Sequence, residues 1–317
     1  MAEGTSVLIL GGLGMIGRSL VKYILDYELA GFVRVVDKQV AAMAYLNEVF
    51  RNAFADPRVE VVQGDLSVES HVEKAFDRPF NIVVALASET QYGHLEIKYE
   101  RNILMLRTLC AKQAATLGTV EKYIEVSTAQ VYEAKNDRPA AVGGKTNPWT
   151  TMAKFHLAAE HNVKKNSDLP VIVLRLPIVY GPADLRGLMP RIVCAAVYEH
   201  TGDRMEFLWG EELRIHTVHV QDVAAGIWHL CCAGESGETY NLVDENDTTQ
   251  GKLNAVLESI FHIKTGFYGS IMSNLAQLKL DELVDEANDG HMGPWEELLQ
   301  AKKITHTPTV SSVPNIF

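Results

Sequence analysis

An apolar run of strand length, Ser6-Val-Leu-Ile-Leu10, that ends in Gly11-Gly-Leu-Gly14-Met15-Ile16-Gly17 constrains this chain more than any other stretch. Glycines so spaced permit a tight reversal, and a helical apolar pattern (Met15, Ile16, Leu20, Ile24) starts inside them. Strand, turn and helix in that order make a phosphate site. The glycines let the backbone approach a pyrophosphate, and the free N–H groups and positive dipole end of the helix face it. A second apolar run, Phe32-Val-Arg-Val-Val-Asp37, closes on a carboxylate about twenty residues after the last glycine. That carboxylate can accept bonds from both hydroxyls of an adenosine ribose and repels a 2′-phosphate, so NAD is expected rather than NADP. Lys38 leaves some room for NADP, since a cation there can meet a 2′-phosphate; the alternative is a solvated side chain.

Glycine clusters alone are weak signals, because many strand-to-helix turns need glycine and bind nothing. The reading rests on strand, turn, helix, second strand and terminal Asp standing in register. Both Gly12-x-Gly14-x-x-Gly17 and Gly11-x-x-Gly14-x-x-Gly17 spacings are present, and the second points toward short-chain dehydrogenase relatives.

With 317 residues, 47% of them hydrophobic, the chain can bury one large α/β domain and a smaller lobe. Its net charge of −11 argues against a nucleic-acid or anionic-membrane surface, which a positive field would favour, and points to a small soluble ligand or a protein partner. Four cysteines without C-x-x-C spacing imply packed thiols in a reducing compartment. No apolar run reaches the ~18 residues of a membrane span. The first strand starts almost at once, leaving no room for a targeting peptide, and the expected location is cytoplasmic, with organelle import left open.

Further strand-like runs at Val33–Val36, Val59–Val62, Ile82–Leu86, Tyr123–Val126 and Val171–Leu176 alternate with helical patterns, which means a Rossmann-type, doubly wound parallel sheet. The longest helix is expected from about Leu95 to Leu117, and another from Pro148 to about Lys165. After Pro182 the rhythm shortens into a smaller C-terminal α/β lobe, with helices near Leu188–His200, Val223–Cys232, Leu253–Phe261 and Met272–Ala287. Residues 1–182 are thus read as the NAD-binding domain, 183–304 as a substrate or partner lobe interleaved with it, and 305–317 as an extended tail.

Six motifs in order resemble the extended short-chain dehydrogenase/reductase family, the NAD-dependent epimerases and dehydratases, over about Ser6 to Thr248. They are the glycine turn, Gly64-Asp65-Leu66, Ala85-Leu86-Ala87-Ser88, Glu125-Val-Ser-Thr128-Ala-Gln-Val-Tyr132, Leu174-Arg-Leu-Pro177-Ile-Val-Tyr-Gly-Pro182, and Arg214-Ile-His-Thr-Val-His-Val-Gln-Asp222. The resemblance implies that Asp65 and Leu66 lie at the adenine, and that Leu86, Ala87, Ser88 and Pro177 line the cofactor. It further implies that Thr128 binds the reacting oxygen and that Thr90 and Arg214 contact substrate. A plain reading stands beside each: Asp65 in an Asx turn, Leu174–Pro182 as a buried strand and turn, Arg214 on the surface, Asp222 capping a helix.

The family's chemistry implies a Tyr four residues before a Lys on one helix face, the Lys at the nicotinamide ribose and the Tyr carrying the proton. Here Lys154 is present and the Tyr position is Thr150. An aliphatic hydroxyl titrates far too high for a general base, whose useful pKa lies near the working pH. Dehydratase chemistry is further disfavoured, because Ala129-Gln130 stand where those relatives carry Asp-Glu. Substitute proton carriers lie in Ser88-Glu89-Thr90-Gln91-Tyr92-Gly-His94: Tyr92 or His94, each of which can equally be a packing or surface residue. Tyr132 can project toward the cleft or be structural.

Two functions remain. One is an NAD-dependent oxidoreductase or isomerase acting on a nucleotide sugar or similar hydroxylated molecule. The other is a catalytically inactive NAD-binding pseudoenzyme, a structural subunit or interaction module of a larger assembly. A homodimer is common in the family, and no metal site is expected, since His and Cys lack ligand spacing.

Overall fold

In the computed structural model, which describes residues 4–133, 140–165 and 168–305, the alternating apolar runs and amphipathic stretches become a parallel sheet with helical crossovers. Its first half runs β1 (Ser6–Leu10), α1 (Met15–Asp26), β2 (Phe32–Asp37), α2 (Glu48–Phe54), β3 (Val59–Gln63), α3 (Glu69–Ala75), β4 (Ile82–Ala85), α4 (Glu96–Tyr99), α5 (Leu106–Leu117), β5 (Lys122–Thr128), α6 (Thr151–Lys164) and β6 (Val171–Leu176). The second half runs β7 (Ile178–Tyr180), α7 (Met189–Thr201), β8 (Met205–Phe207), β9 (Thr217–His219), α8 (Val220–Ala233), β10 (Thr239–Asn241), α9 (Gln250–Phe261), β11 (Thr265–Phe267), α10 (Gly269–Gln277) and α11 (Leu280–Ala301). Two compact units result: Met1–Pro177 with Val218–Val243, and Ile178–Thr217 with Asp244–Phe317.

The first unit holds a seven-stranded sheet in the order β10-β6-β5-β4-β1-β2-β3, with every neighbouring pair parallel. Buried on both faces, the inner strands β1 and β4 read as continuous apolar runs rather than alternating ones, whereas the edge strands β3 and β10 stay partly exposed. Leu8 and Leu10 of β1 pack with Val83 and Ala85 of β4 beneath α3 and α5, so Val7 and Ile9 turn to the other face by the two-residue period. On that face α1 lies against α8, and Gly226 admits Leu242 where a Cβ would stand 2.7 Å from its methyl. The second unit packs Cys194 and Ala195 of α7 against Met205, Phe207 and Leu257. Within it α11 lies along α7, where the His200 ring meets Glu297 at 3.0 Å.

Four expectations need correction. The helix over 95–117 is interrupted by a π-helical turn at Glu100–Met105, a local widening that apolar spacing does not register. Pro148 lies outside its helix, which starts at Thr151 with Thr150 as a true cap accepting the Ala153 N–H. Asp222 does not cap α8: the His219 ring does, accepting the Gln221 N–H, and Asp222 falls in the first turn, where its charge suits the dipole. The stretch 272–287 is two helices broken where Lys279 leaves helical geometry, and the second continues through Pro294 to Ala301 because packing of Val284 and Leu299 overrides local propensity. Of the expected tail, only Thr305 belongs to the described residues.

Candidate functional site

β1 and β4 are neighbours although β2 and β3 intervene in sequence, so chain connections diverge above their carboxyl ends, the place where open α/β sheets hold ligands. Leu10 O accepts both the Leu86 N–H (2.8 Å) and the Ala87 N–H (2.7 Å), drawing the segment after β4 against the glycine turn. Gly11 has φ +84°, and a Cβ there would stand 2.5 Å from Ala87 N. At Gly17 a Cβ would lie 2.4 Å from Gly12 Cα. Gly14, the N-cap of α1, gives its first turn no side-chain bond, which leaves those N–H groups for an anion. Met15 and Ile16 stand half-buried beside it.

Asp37 accepts the Leu13 N–H (3.1 Å) on one oxygen and the Gln39 N–H (3.0 Å) on the other. Each oxygen keeps a second lone pair for a ribose hydroxyl. Sequence reasoning missed Arg18, which is buried under the turn and donates to Leu13 O and Ala44 O at 3.1 Å each. Burial lowers its pKa, and the charge of Asp37 opposes that fall. Lys38 is exposed, and its charge reaches both Asp65 and Glu89. Asp65 makes the Asx turn, accepting the Ser67 N–H (3.0 Å), and meets Arg101 at 3.4 Å. Burial pushes its carboxyl up, but the Ser67 bonds and the Arg101 and Lys38 charges outweigh burial and hold it below its ordinary value. The Leu66 side chain belongs to the core with Val36 and Val72.

Ala85-Leu86-Ala87-Ser88 rests on a second missed residue, Arg107. Its guanidinium donates to Ala87 O (2.8 Å) and to Ala85 O, and pairs at 3.3 Å with Glu125 inside the sheet. Burial drives the Glu125 carboxyl up to about 7 against the pull of Arg107. Behind it, Glu160 pairs with Arg175 at 2.6 Å, and Arg175 stacks on Tyr132, whose hydroxyl donates to Asn241 Oδ1 at 2.8 Å. Tyr132 is structural.

Ser88 Oγ lies 3.1 Å from His156 Nε2 and 3.1 Å from Glu89 O. One consistent set has the His156 Nε2–H donating to Ser88, and Ser88 to the carbonyl. Burial first, then the Arg107 charge, lowers the His156 pKa from 6.5 to about 3, so the ring is neutral at neutral pH. The unfolded chain binds that proton near 6.5 and the folded chain does not. The stability this confers is full above about 6.5 and is lost as pH falls toward about 3. Urea unfolding at decreasing pH is therefore expected to show a falling midpoint that His156→Gln flattens. Parallel decline in both proteins would remove His156 from the account. Glu125 works in the opposite sense, its contribution fading as pH rises from its ordinary 4.5 through about 7.

The proposed proton carriers separate. Glu89 is buried and accepts the Thr90 and Gln91 N–H groups at 3.0 Å each, with Lys98 at 3.2 Å. Burial raises its pKa, yet those bonds and Lys98 outweigh burial and keep it ionised. His94 Nε2 lies 2.7 Å from Lys98 Nζ and 4.0 Å from Glu89, and Thr90 is exposed. Tyr92, Gln130, Thr128 and Thr150 come together. Gln130 Nε2 donates to Tyr92 Oη at 2.6 Å, Thr150 Oγ1 donates to Gln130 Oε1 at 2.9 Å, and Gln130 N donates to Thr128 Oγ1 at 3.2 Å. Gln130, 38 residues from Tyr92 in sequence, is legible there only as a departure from the Asp-Glu pair and not as a partner of Tyr92. Lys154 Nζ lies over Phe155 and 3.2 Å from Glu96 in an exposed pair. Pro177 is half-buried directly after β6. Arg214, in the second unit, is 45% exposed and 3.7 Å from Asp247. Among the described residues no cluster of His, Cys, Asp and Glu has the makings of a metal site, and no helix is long and apolar enough to cross a membrane.

The sequence profile of the NAD dependent epimerase/dehydratase family matches residues 7–242. Mouse (Mus musculus) dTDP-D-glucose 4,6-dehydratase is 26% identical over 251 residues, spanning 74% of this chain and 67% of that protein. Among solved structures, UDP-glucuronic acid 4-epimerase from Bacillus cereus in complex with NAD superposes with a TM-score of 0.72 at 18% identity, covering 85% of this chain and 92% of that one. A dTDP-glucose 4,6-dehydratase from Streptomyces venezuelae, also solved with NAD, gives 0.71 at 20% identity, covering 84% and 85%.

Proposed function

This chain belongs to the NAD-dependent epimerase/dehydratase family, and from that premise we propose that it holds NAD and uses it on a hydroxylated small molecule such as a nucleotide sugar. The single observation that carries the cofactor is the approach of Gly11 to Ala87, a cradle that any Cβ would fill, beside an uncapped helix start. Asp37 takes the adenosine ribose, as argued from its two spare lone pairs. When bound, NAD supplies a hydride acceptor for a carbinol carbon. Thr128 then holds the reacting oxygen. Lys154 leaves Glu96 for the nicotinamide ribose at little cost, since exposed pairs are worth only ~0–1 kcal/mol. Ala129-Gln130 supports oxidation or epimerisation over elimination, because neither residue supplies the carboxyl pair that dehydration of a sugar would use.

The second reading, a cofactor-holding subunit without turnover, is favoured by Thr150. Its hydroxyl is already engaged, capping α6 and bonding Gln130, and cannot take the proton itself. Incubation with NAD and 4-deuterated UDP-glucuronic acid, UDP-glucose and dTDP-glucose separates the two. Deuterium in the nicotinamide, or a sugar nucleotide changed in configuration or oxidation state, supports the enzyme; NAD bound and unlabelled with every sugar nucleotide recovered unchanged supports the subunit.

A further inference from the structure

Side chains around Thr150 form a chain of hydrogen bonds with one self-consistent direction. Thr150 Oγ1 accepts the Ala153 N–H at 3.1 Å as the cap of α6, which commits its own proton outward, to Gln130 Oε1 at 2.9 Å. That bond identifies which end of the amide is carbonyl. The other end, the Nε2–H, then donates to Tyr92 Oη at 2.6 Å. A phenol oxygen that accepts there keeps its own proton uncommitted, and no acceptor for it stands among the described residues. The Gln130 backbone is meanwhile tied to Thr128 Oγ1 at 3.2 Å, so the amide is fixed at the end of β5.

We propose that Tyr92 exchanges the proton with the substrate oxygen, and that Gln130 and Thr150 are positioning residues that aim it. The assignment rests on the oxidoreductase reading above. It also gives Thr150 a purpose: the hydroxyl in place of the expected phenol orients a different phenol through one amide. A carbonyl carbon that takes up hydride leaves its oxygen in need of a proton. Tyr92 gives its phenolic proton to that oxygen, the phenol O–H bond breaking as the alcohol O–H forms. The resulting phenolate is held by the Gln130 Nε2–H until it takes a proton back from water. Oxidation runs the same transfer in reverse: the phenol, its proton first released to water, accepts the alcohol proton, and its O–H bond forms as the alcohol O–H breaks. Burial raises the Tyr92 pKa and the Gln130 bond lowers it in part, so the resting group at neutral pH is the neutral phenol, which serves the reducing direction directly and must first lose its proton to solvent to serve the oxidising one.

Two measurements test this. Protein carrying 13Cζ-labelled tyrosine is titrated by NMR, with the Tyr92 resonance identified by its absence in Tyr92→Phe. Gln130→Leu and Thr150→Val are expected to raise the Tyr92 pKa by about one unit, because the phenolate loses an oriented donor, while Thr150→Ser keeps the unmodified titration. Turnover of the nucleotide-sugar panel is expected to fall at least about 100-fold in Tyr92→Phe with NAD affinity retained. An unchanged Tyr92 titration in both Gln130→Leu and Thr150→Val overturns the relay whatever the panel shows. Undiminished turnover in Tyr92→Phe overturns the proton assignment and leaves the oxidoreductase reading standing. A panel without turnover, alongside shifted titrations, overturns that reading and the proton assignment while the relay itself stands.

Discussion

Arg107→Ala is expected to lower the unfolding free energy by about 3–5 kcal/mol, the usual consequence of removing one member of a buried ion pair. The side chain is 1% exposed and its partner Glu125 0%, so the substitution leaves the carboxyl away from bulk solvent without its partner. The same substitution strips donors from Ala85 O and Ala87 O, the carbonyls that shape the segment facing the glycine turn. An unpartnered Glu125 must then be buried protonated, and the loss should be smaller at low pH, where it takes that proton readily. Arg107→Met with Glu125→Leu should recover most of the stability, since burying neither charge avoids the desolvation that the pair must otherwise offset. Urea denaturation of the three proteins decides it. A loss below about 1 kcal/mol for Arg107→Ala would mean the pair is not the support of this segment.

Gly11→Ala is expected to weaken NAD binding at least about 100-fold, roughly 2.7 kcal/mol. Alanine at φ +84° is strained, and its methyl would stand 2.5 Å from the Ala87 backbone nitrogen, so β1 and the segment after β4 must part. Parting moves the two walls between which the pyrophosphate would sit. Gly118→Ala is the matched control: φ is +63°, yet nothing lies within 4 Å of the added Cβ. It should cost only the conformational strain, about 1–2 kcal/mol of stability, and leave NAD affinity unchanged. Equal NAD affinity in Gly11→Ala and the unmodified protein would move the cofactor away from this turn.

Much of the first unit was legible because its signals are local. Val7 to Leu10 announce a buried strand, and the register from Gly11 to Asp37 announces the ligand end of that strand. What stayed hidden depends on partners far along the chain. Arg107 pairs with Glu125 across the sheet, and nothing in its own helix marks it as buried. Gln130 draws meaning only from Tyr92 and Thr150, which the fold brings together. Cap identity failed for another reason: Asp222 is the commoner capping type, but His219 stands where the chain turns into α8, and its ring accepts the same kind of bond. The π turn at Glu100–Met105 and the run of α11 through Pro294 show packing prevailing over spacing and propensity.

The central claim is that the glycine turn and Asp37 hold NAD. Calorimetric titration of the unmodified protein with NAD and, separately, NADP tests it most directly. Saturable one-to-one binding of NAD, with NADP at least about tenfold weaker because Asp37 repels its 2′-phosphate, is the expected result. Absence of saturable NAD binding, or tighter binding of NADP, would contradict the account.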